Sequence, residues 1–516
     1  MCDAVLLFLD RAQLAAPAFR VSAENARAVA RLCHRLDGIP LAIELAAARA
    51  GVMAPAQILD RLQDRFGLLT GGSRTGPARH RSLQSALDWS HDLLSDGERR
   101  LFRRLSVFAG SFSLESIEAI CSGDDLEVAA IAGLLGSLVD KSLVSATGAG
   151  RDRIRFRLLD TLRQYGIERL AECGEEEMLH RRHWEYFLSL AETAFPNLRG
   201  HEQKEWHRRL VDEMDNLRSA FWRTHECEPE ASLRLACALT PFWVLHGWVE
   251  EGDSWLEVGL RDYPTRNQLR AAALAEGGWV STWCGDMPGA LARWQEGFDI
   301  YKELCDLRGI GQALTNLGWD ANWRGDLETA HERYVDGLAM SRRGGDKREI
   351  VTSLMFLGQS FLRRGDHDNA RIHLAESLAL AEPLGDLRLK SYPLTWLGVT
   401  STETGDFETA RSHLEEGLRI GKILDFPLGV ARALVDLAGL AAAQSRSIRA
   451  LRLAGAAEAI YESLPSTRFS LEKPGLERRL EQSRQELGPE RSATCWAEGR
   501  AMPQDRAIEY ALNNVD

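Results

Sequence analysis

Near the start of the chain, apolar residues recur at mixed three- and four-residue spacing, the signature of a helix with one buried face. Ala26, Val29, Ala30, Leu32 and Cys33 form such a stripe, and Ser22 stands where an N-cap belongs. Asp37-Gly38 ends it, Pro40 suits the first turn of the next helix, LAIELAAARA, and Pro55 opens a third through QILDRLQDRF. The Gly-, Ser- and Pro-rich stretch GLLTGGSRTGPARHRS then reads as a linker. Residues 1–78 are thus predicted to be a helical bundle fragment plus linker.

From residue 79 to 170 the pattern changes twice. LQSALDWSHDLL and DGERRLFRRLSVF are amphipathic helices with Ser95-Asp96-Gly97 between them, and SLESIEAIC and LEVAAIAGLLGSLVDKSL add two more. The period then drops to two around a Gly-rich turn, with Leu143–Ala146 on one side and Ile154, Phe156 and Leu158 sharing a face on the other. Helices followed by such a hairpin predict a winged-helix domain.

Beyond about residue 171 no alternating stretch stands out, and an internal repeat takes over. Gly-Asp recurs at 285–286, 325–326, 365–366 and 405–406, each followed by an alanine (Ala290, Ala330, Ala370, Ala410) and a bulky residue (Trp294, Tyr334, Leu374, Leu414). Gly278, Gly318, Gly358 and Gly398 precede them at constant spacing. A decayed fifth copy keeps Ala450 and puts Ala438 at the glycine position, and GWVEEGDSWLEVGL aligns as an earlier copy through Gly252, Gly259 and Leu260. Each period predicts a helix hairpin. The first-helix glycine allows close approach, Gly-Asp makes the turn, and stacking of copies buries the face each leaves open. The expected fold is mainly α: the helical bundle fragment, the winged-helix domain at 79–170, a helical connector at 171–262 with the degenerate first repeat, an α-solenoid of TPR-like helix hairpins at 263–465, and a C-terminal helical cap at 466–516.

The glycine-to-alanine-to-bulky spacing resembles the tetratricopeptide repeat, in a 40-residue version with a long inter-repeat loop. GIPLAIELAAAR resembles the GLPL-type motif of STAND/NB-ARC-type bacterial regulators, the AfsR-like and LuxR-like ATPase family. LQSALDWSHDLLSDGERRLFRRLSVFAGSFSLESIEAIC resembles that family's winged-helix entry, LLDTLRQYGIERL its exit, and CWAEGRAMPQDRAIEYAL its C-terminus. The resemblance implies a nucleotide switch whose phosphate-binding strand, loop and helix precede the GLPL-type motif. That half is not found here. Gly421-Lys422 is followed by Ile423, and GGSRTG lacks Lys-Ser/Thr. The chain therefore reads as a piece of a larger regulator or as the partner of a separate P-loop module. The resemblance leaves Gly38, Pro40 and Asp160 as vestigial nucleotide contacts. Leu158 occupies the position of the family's phosphate-sensing histidine, and leucine donates no hydrogen bond. No cofactor is expected in this chain alone; ADP or ATP is expected only with the missing N-terminal half.

Composition narrows the function classes. The formal net charge of −12 argues against nonspecific polyanion binding. The winged-helix region balances 13 Lys/Arg against 13 Asp/Glu. Its recognition segment IAGLLGSLVDKS has only Lys141 and no Arg, Asn or Gln for base contacts, so burial against neighbouring domains is expected and DNA is not. The wing arginines Arg151, Arg153, Arg155 and Arg157 alternate onto one face, read as a solvated edge or a partner contact. The opening MCDAVLLFLDRAQ lacks a basic n-region, no run reaches membrane-span length, and the nine cysteines contain no CxxC pair, which together fit the cytoplasm.

No catalytic or metal site is expected. His201 and His207 are six apart rather than four, and His180 and His183 have no third ligand nearby. Trp279 and Trp283 lie one turn apart on a first helix, and Trp319 and Trp323 repeat the arrangement 40 residues later. These positions resemble those facing the inner groove of a repeat array, so the four are candidate anchors for a protein or peptide partner. The competing reading is core packing. Later copies place Gln359, Arg363, Val399 and Glu403 there, which confines the expected aromatic patch to the early repeats.

Overall fold

Helix periodicity dominates the sequence, and in the computed structural model of the chain the regular elements among the described residues are helices apart from one small sheet. It describes residues 3–16, 19–22, 25–36, 40–51, 53–61, 83–148, 154–200, 202–464 and 468–513. Two compact units emerge: Met1–Phe187 with Asp212–Ala220, and Leu188–Val211 with Phe221–Asp516.

The first unit begins with α1 (Asp3–Ala15), α2 (Ala26–Arg35), α3 (Pro40–Ala47) and α4 (Pro55–Arg61), which bury Phe8, Val29, Leu32, Ile43 and Ile58. Helix α2 starts later than a Ser22 cap implies: the Ser22 N–H donates to Asn25 Oδ1 (2.8 Å) and the Ser22 carbonyl accepts from Ala26. Then come α5 (Leu83–Asp92) and α6 (Asp96–Leu105). Ser95 caps α6 in a reciprocal box with Glu98, so Asp96-Gly97 belong to its first turn and are not a spacer. Strand β1 (Ser111–Phe112), α7 (Leu114–Cys121), α8 (Val128–Asp140), β2 (Ser145–Thr147), β3 (Arg155–Arg157) and α9 (Asp160–Glu172) complete the winged helix.

The sheet has order β1-β3-β2, both pairs antiparallel, with Phe112 opposite Phe156 and Ala146 opposite Phe156 on the other side. The sequence reading foresaw only the wing hairpin, because a two-residue strand has no period to detect. Ile154 precedes the ladder and is exposed, whereas Leu158 is buried, so the expected common face does not form. Helix α8 buries Ile131, Leu135 and Leu138 and leaves Val128, Ala129, Ala130, Ala132, Gly133 and Gly136 exposed. This corrects the expectation that the segment is covered. The exposed face is mostly Ala and Gly, which offer little area to bury.

Helices α10 (Glu176–Asn197) and α11 (Gln203–Cys227) each contribute residues to both units, and the second unit continues with α12 (Pro229–Ala238), α13 (Thr240–His246) and α14 (Val249–Asp262). Gly247 (φ 80°) ends α13, and a Cβ on Gly252 would meet the Trp243 ring at 2.5 Å, as a close-packing repeat glycine should. Five hairpins follow: α15 (Gln268–Cys284) with α16 (Met287–Glu303), α17 (Leu307–Trp323) with α18 (Leu327–Gly344), α19 (Lys347–Arg363) with α20 (His367–Ala381), α21 (Leu387–Glu403) with α22 (Phe407–Ile423), and α23 (Pro427–Ala443) with α24 (Ser447–Ser463). Helices α25 (Arg468–Arg500, broken at Gly488) and α26 (Gln504–Leu512) close the unit.

The Gly-Asp turns have a defined division of labour. Gly285, Gly325, Gly365 and Gly405 take φ of 77–83°, where only glycine is unstrained. Asp286, Asp326, Asp366 and Asp406 then cap the second helices, accepting from the N–H three residues on. Ala290, Ala330, Ala370 and Ala410 are buried, as are Trp294, Tyr334, Leu374 and Leu414. The long inter-repeat loop does not exist. Left-handed residues also fall halfway between, at Cys305, Gly345, Gly385 and Asp425, while Ser445 takes the left-handed place in the turn of the fifth hairpin, so both turns of each period are short and the helices fill the length.

Candidate partner-binding groove

Count positions in each first helix from the repeat glycine. Offsets of −6, −2, +1 and +5 are separated by four, three and four residues, which places them on one helical face. In α15, α17, α19 and α21 these positions, Ala272 excepted, line a single cavity of about 650 Å³ within the second unit. Trp279, Trp319, Gln359 and Val399 form the +1 row, and Trp283, Trp323, Arg363 and Glu403 the +5 row.

All four candidate tryptophans therefore lie along this cavity, in unequal environments. Trp279 and Trp319 are half-buried, with ring centroids 5.3 Å apart, and each packs edge-on to Trp294. Trp283 is buried, whereas Trp323 is 39% exposed and lies parallel to Trp319 at 6.2 Å. Core packing and surface display are thus divided among them.

The aromatic lining also continues past the early repeats, contrary to the sequence expectation. The −2 row reads Glu276, Asn316, Phe356, Trp396, and the −6 row brings Tyr392 to the same wall. The Phe356 ring lies nearly parallel to Trp279 at 6.0 Å. Stepping back three residues from Gln359 and Val399, and seven from Val399, reaches Phe356, Trp396 and Tyr392.

Polar groups in the groove are only partly satisfied. Trp279 Nε1 donates to Asn316 Oδ1 at 3.1 Å, and because an indole only donates, the amide orientation is fixed. Asn316 Nδ2 and Gln359 Oε1 are then left buried without partners, on side chains 2% and 6% exposed. Buried amide atoms normally find partners, so two lining one cavity are informative. Carboxylates, by contrast, are largely engaged. Glu276 pairs with Arg199 (2.9 Å), Asp386 with Arg348 (2.6 Å), and Asp436 with Arg432 (3.0 Å) and Arg479 (3.3 Å). Arg388 donates to the Tyr392 hydroxyl at 3.1 Å. Burial, reinforced by Asp346 and Glu276, pushes the Glu349 carboxyl up to about 7. The wall thus offers aromatic faces, an amide donor, an amide acceptor and guanidinium groups, which suit recognition.

Of the candidate nucleotide contacts, Gly38 lies outside the described residues, Pro40 opens α3, and Asp160 opens α9 and is half-buried. Leu158, at the family's histidine position, is buried. In the winged helix, Lys141 Nζ donates to Glu98 Oε1 (2.6 Å), which its charge and the Ser137 hydroxyl help hold at about 2. Arg155 is not on a solvated edge: it pairs with the buried Glu213 at 2.6 Å and donates to Ser111 Oγ at 2.8 Å. Arg157 is exposed, and Arg151 and Arg153 lie outside the described residues. His183 is buried against Phe108 and Phe187, and His201 lies outside the described residues. Among the described residues no group of three or more His, Cys, Asp or Glu could hold a metal, and no helix is long and apolar enough to cross a membrane.

Comparison with known proteins matches residues 94–171 to the winged helix-turn-helix domain and residues 349–423 to the tetratricopeptide repeat. A Mycobacterium tuberculosis protein named as a candidate HTH-type transcriptional regulator is 40% identical over 323 residues, 61% of this chain. A second, uncharacterized protein of that organism is 42% identical over 182 residues, 35% of this chain. The chain covers 36% and 46% of their respective lengths. A solved STAND protein with a tetratricopeptide repeat sensor, from Pyrococcus horikoshii, aligns over 96% of this chain and 71% of its own at 15% identity, TM-score 0.44. The chain joins a winged-helix domain to tetratricopeptide-like repeats.

Proposed function

We propose that this chain is a non-enzymatic regulatory scaffold. Its repeat groove binds a protein or peptide partner, and the winged helix and GLPL-bearing bundle relay that event to a nucleotide-binding or transcriptional output module. The observation that carries this reading is the continuous wall of aromatic and unsatisfied amide groups on one face of four successive first helices. A ligand that prefers one arrangement of the relay shifts its population by its difference in affinity. The test is co-purification from the native host with the wild-type chain and with Trp323→Ala and Asn316→Ala variants. A partner lost from both variants, with unfolding unchanged for Trp323→Ala, supports the reading; partners retained by both variants defeat it.

Two alternatives attach to the same architecture. One is an ATP- or ADP-dependent switch formed with a P-loop module, favoured by the GLPL-type motif that begins at Gly38. Nucleotide binding that appears only when such a module is joined would support it. The other is DNA binding through the winged helix, favoured by the relative's name and by the uncovered face of α8. Against it, Lys141 and Arg155 are neutralised internally. Salt-sensitive binding of duplex DNA by the full chain, absent from an Arg157→Gln variant, would favour it.

A further inference from the structure

The +1 and +5 rows of α17, α19 and α21 place three kinds of group side by side. Trp319 and Trp323 come from α17, Gln359 and Arg363 from α19, and Val399 and Glu403 from α21. Gln359 and Arg363 are four residues apart, hence neighbours on one face. Gln359 presents a buried Oε1 without a partner, and Asn316, one turn before Trp319 on the next helix, presents a buried Nδ2 in the same state. Arg363 has no hydrogen-bond or ion-pair partner among the described residues, although it lines the groove with Arg432, Arg478 and Arg479. Burial, and then the charges of Arg432 and Arg478, hold its guanidinium below the ordinary value. An anion at this spot would relieve that repulsion.

We propose that the groove takes an extended peptide segment bearing a carboxylate next to an apolar side chain. The carboxylate meets Arg363, the apolar side chain covers Trp319 and Trp323, and the peptide backbone satisfies Asn316 and Gln359. A peptide unit carries one acceptor and one donor, which complements an unpaired amide N–H and an unpaired amide oxygen. Guanidinium–carboxylate pairs form paired, charge-assisted hydrogen bonds, so the contact selects for charge and geometry together. Glu403, the next residue in the same row, disfavours a second carboxylate beyond the first, which limits the site to one acidic group at that end. This inference rests on the partner-binding reading of the groove and names the chemistry of its occupant.

The test uses random hexapeptides, one pool with free and one with amidated C termini, passed over the immobilised full chain, with retained peptides identified by mass spectrometry. The expected pool is enriched in an acidic residue or a free C terminus beside an aromatic or aliphatic residue. Arg363→Gln weakens retained peptides by about tenfold or more, Arg363→Lys weakens them less, and Trp323→Ala weakens them as well. Sensitivity to amidation assigns the carboxylate to the C terminus; sensitivity to Glu→Gln in the peptide assigns it to a side chain. Retained peptides that respond to Trp323→Ala but ignore Arg363→Gln and loss of the carboxylate overturn this inference and leave the groove reading standing. An unenriched pool, or peptides indifferent to both variants, overturns both.

Discussion

Within the fourth hairpin two glycines face opposite helices under very different constraints. A Cβ built on Gly398 would stand 2.5 Å from Leu414 Cγ and Cδ2 and 3.3 Å from the Ala410 carbonyl. On Gly417 the nearest atom is Thr395 Oγ1, at 3.8 Å. Alanine at either position recovers the roughly 1 kcal/mol that glycine costs inside a helix. At 417 nothing opposes that gain, so Gly417→Ala is expected to stabilise by about 0.5–1 kcal/mol. At 398 the new methyl falls at least about 1 Å inside the usual 3.5–4.0 Å carbon contact. Leu414 is 1% exposed and has nowhere to turn. Overpacking of this kind costs about 1–3 kcal/mol, so Gly398→Ala is expected to be net destabilising by about 0.5–2 kcal/mol. Urea titration by tryptophan fluorescence gives the midpoints, with Trp396 in α21 as a nearby reporter. Amide exchange in α21 and α22 covers the case in which stacked hairpins open stepwise. If both variants shift stability in the same direction, close helix approach is not what the repeat glycine provides.

Trp319→Ala is expected to cost about 3 kcal/mol or more, because the ring packs against Trp279 and Trp294, while Trp323→Ala costs less than about 1 kcal/mol; thermal melts of the two would separate them. Glu349 holds a proton in the folded chain that the unfolded chain releases above about pH 4.5, so its contribution to stability falls as pH rises through about 7. Glu349→Gln is therefore expected to flatten that dependence and to stabilise the second unit at pH 8 by up to about 3 kcal/mol, as chemical denaturation across pH would read. Glu175 behaves with the opposite sign. Burial alone would raise its carboxyl, but hydrogen bonds from Arg103 and Arg104 outweigh this and hold it at about 2. Its stabilisation is present above about pH 4.5 and lost as pH falls through about 2, so Glu175→Gln should destabilise the first unit by roughly 3 kcal/mol at pH 7 and by little at pH 2. Ser445 adopts φ 58°, a conformation glycine takes without strain, so Ser445→Gly should raise stability by about 1 kcal/mol in the same urea assay.

The hairpins could be read from the chain because their turns use the one residue that tolerates a left-handed backbone, followed by a short acceptor that caps the next helix. The intervening turns were invisible for the same physical reason. Cys305 and Asp425 occupy the left-handed position there, so glycine recurs only at 345 and 385 and gives no period. The groove was half legible. Four indoles at a 40-residue interval marked its wall, but Phe356, Tyr392 and Trp396 each occur once in their rows, and a residue that does not recur leaves no signature. Nor could spacing reveal that Trp319 is held among other rings while Trp323 projects, since both occupy first-helix positions with identical local patterns. In the winged helix, the capping box joins Ser95 to Glu98, three residues on, and is a local pattern. The pairing of Arg155 with Glu213 joins positions 58 apart, and no local pattern encodes it.

Because left-handed junctions fall every 20 residues, each helix in the array is a link of nearly equal length, and equivalent side chains return at equal steps along it. The occupant proposed for the groove would touch α17, α19 and α21 at once and so tie three successive links together.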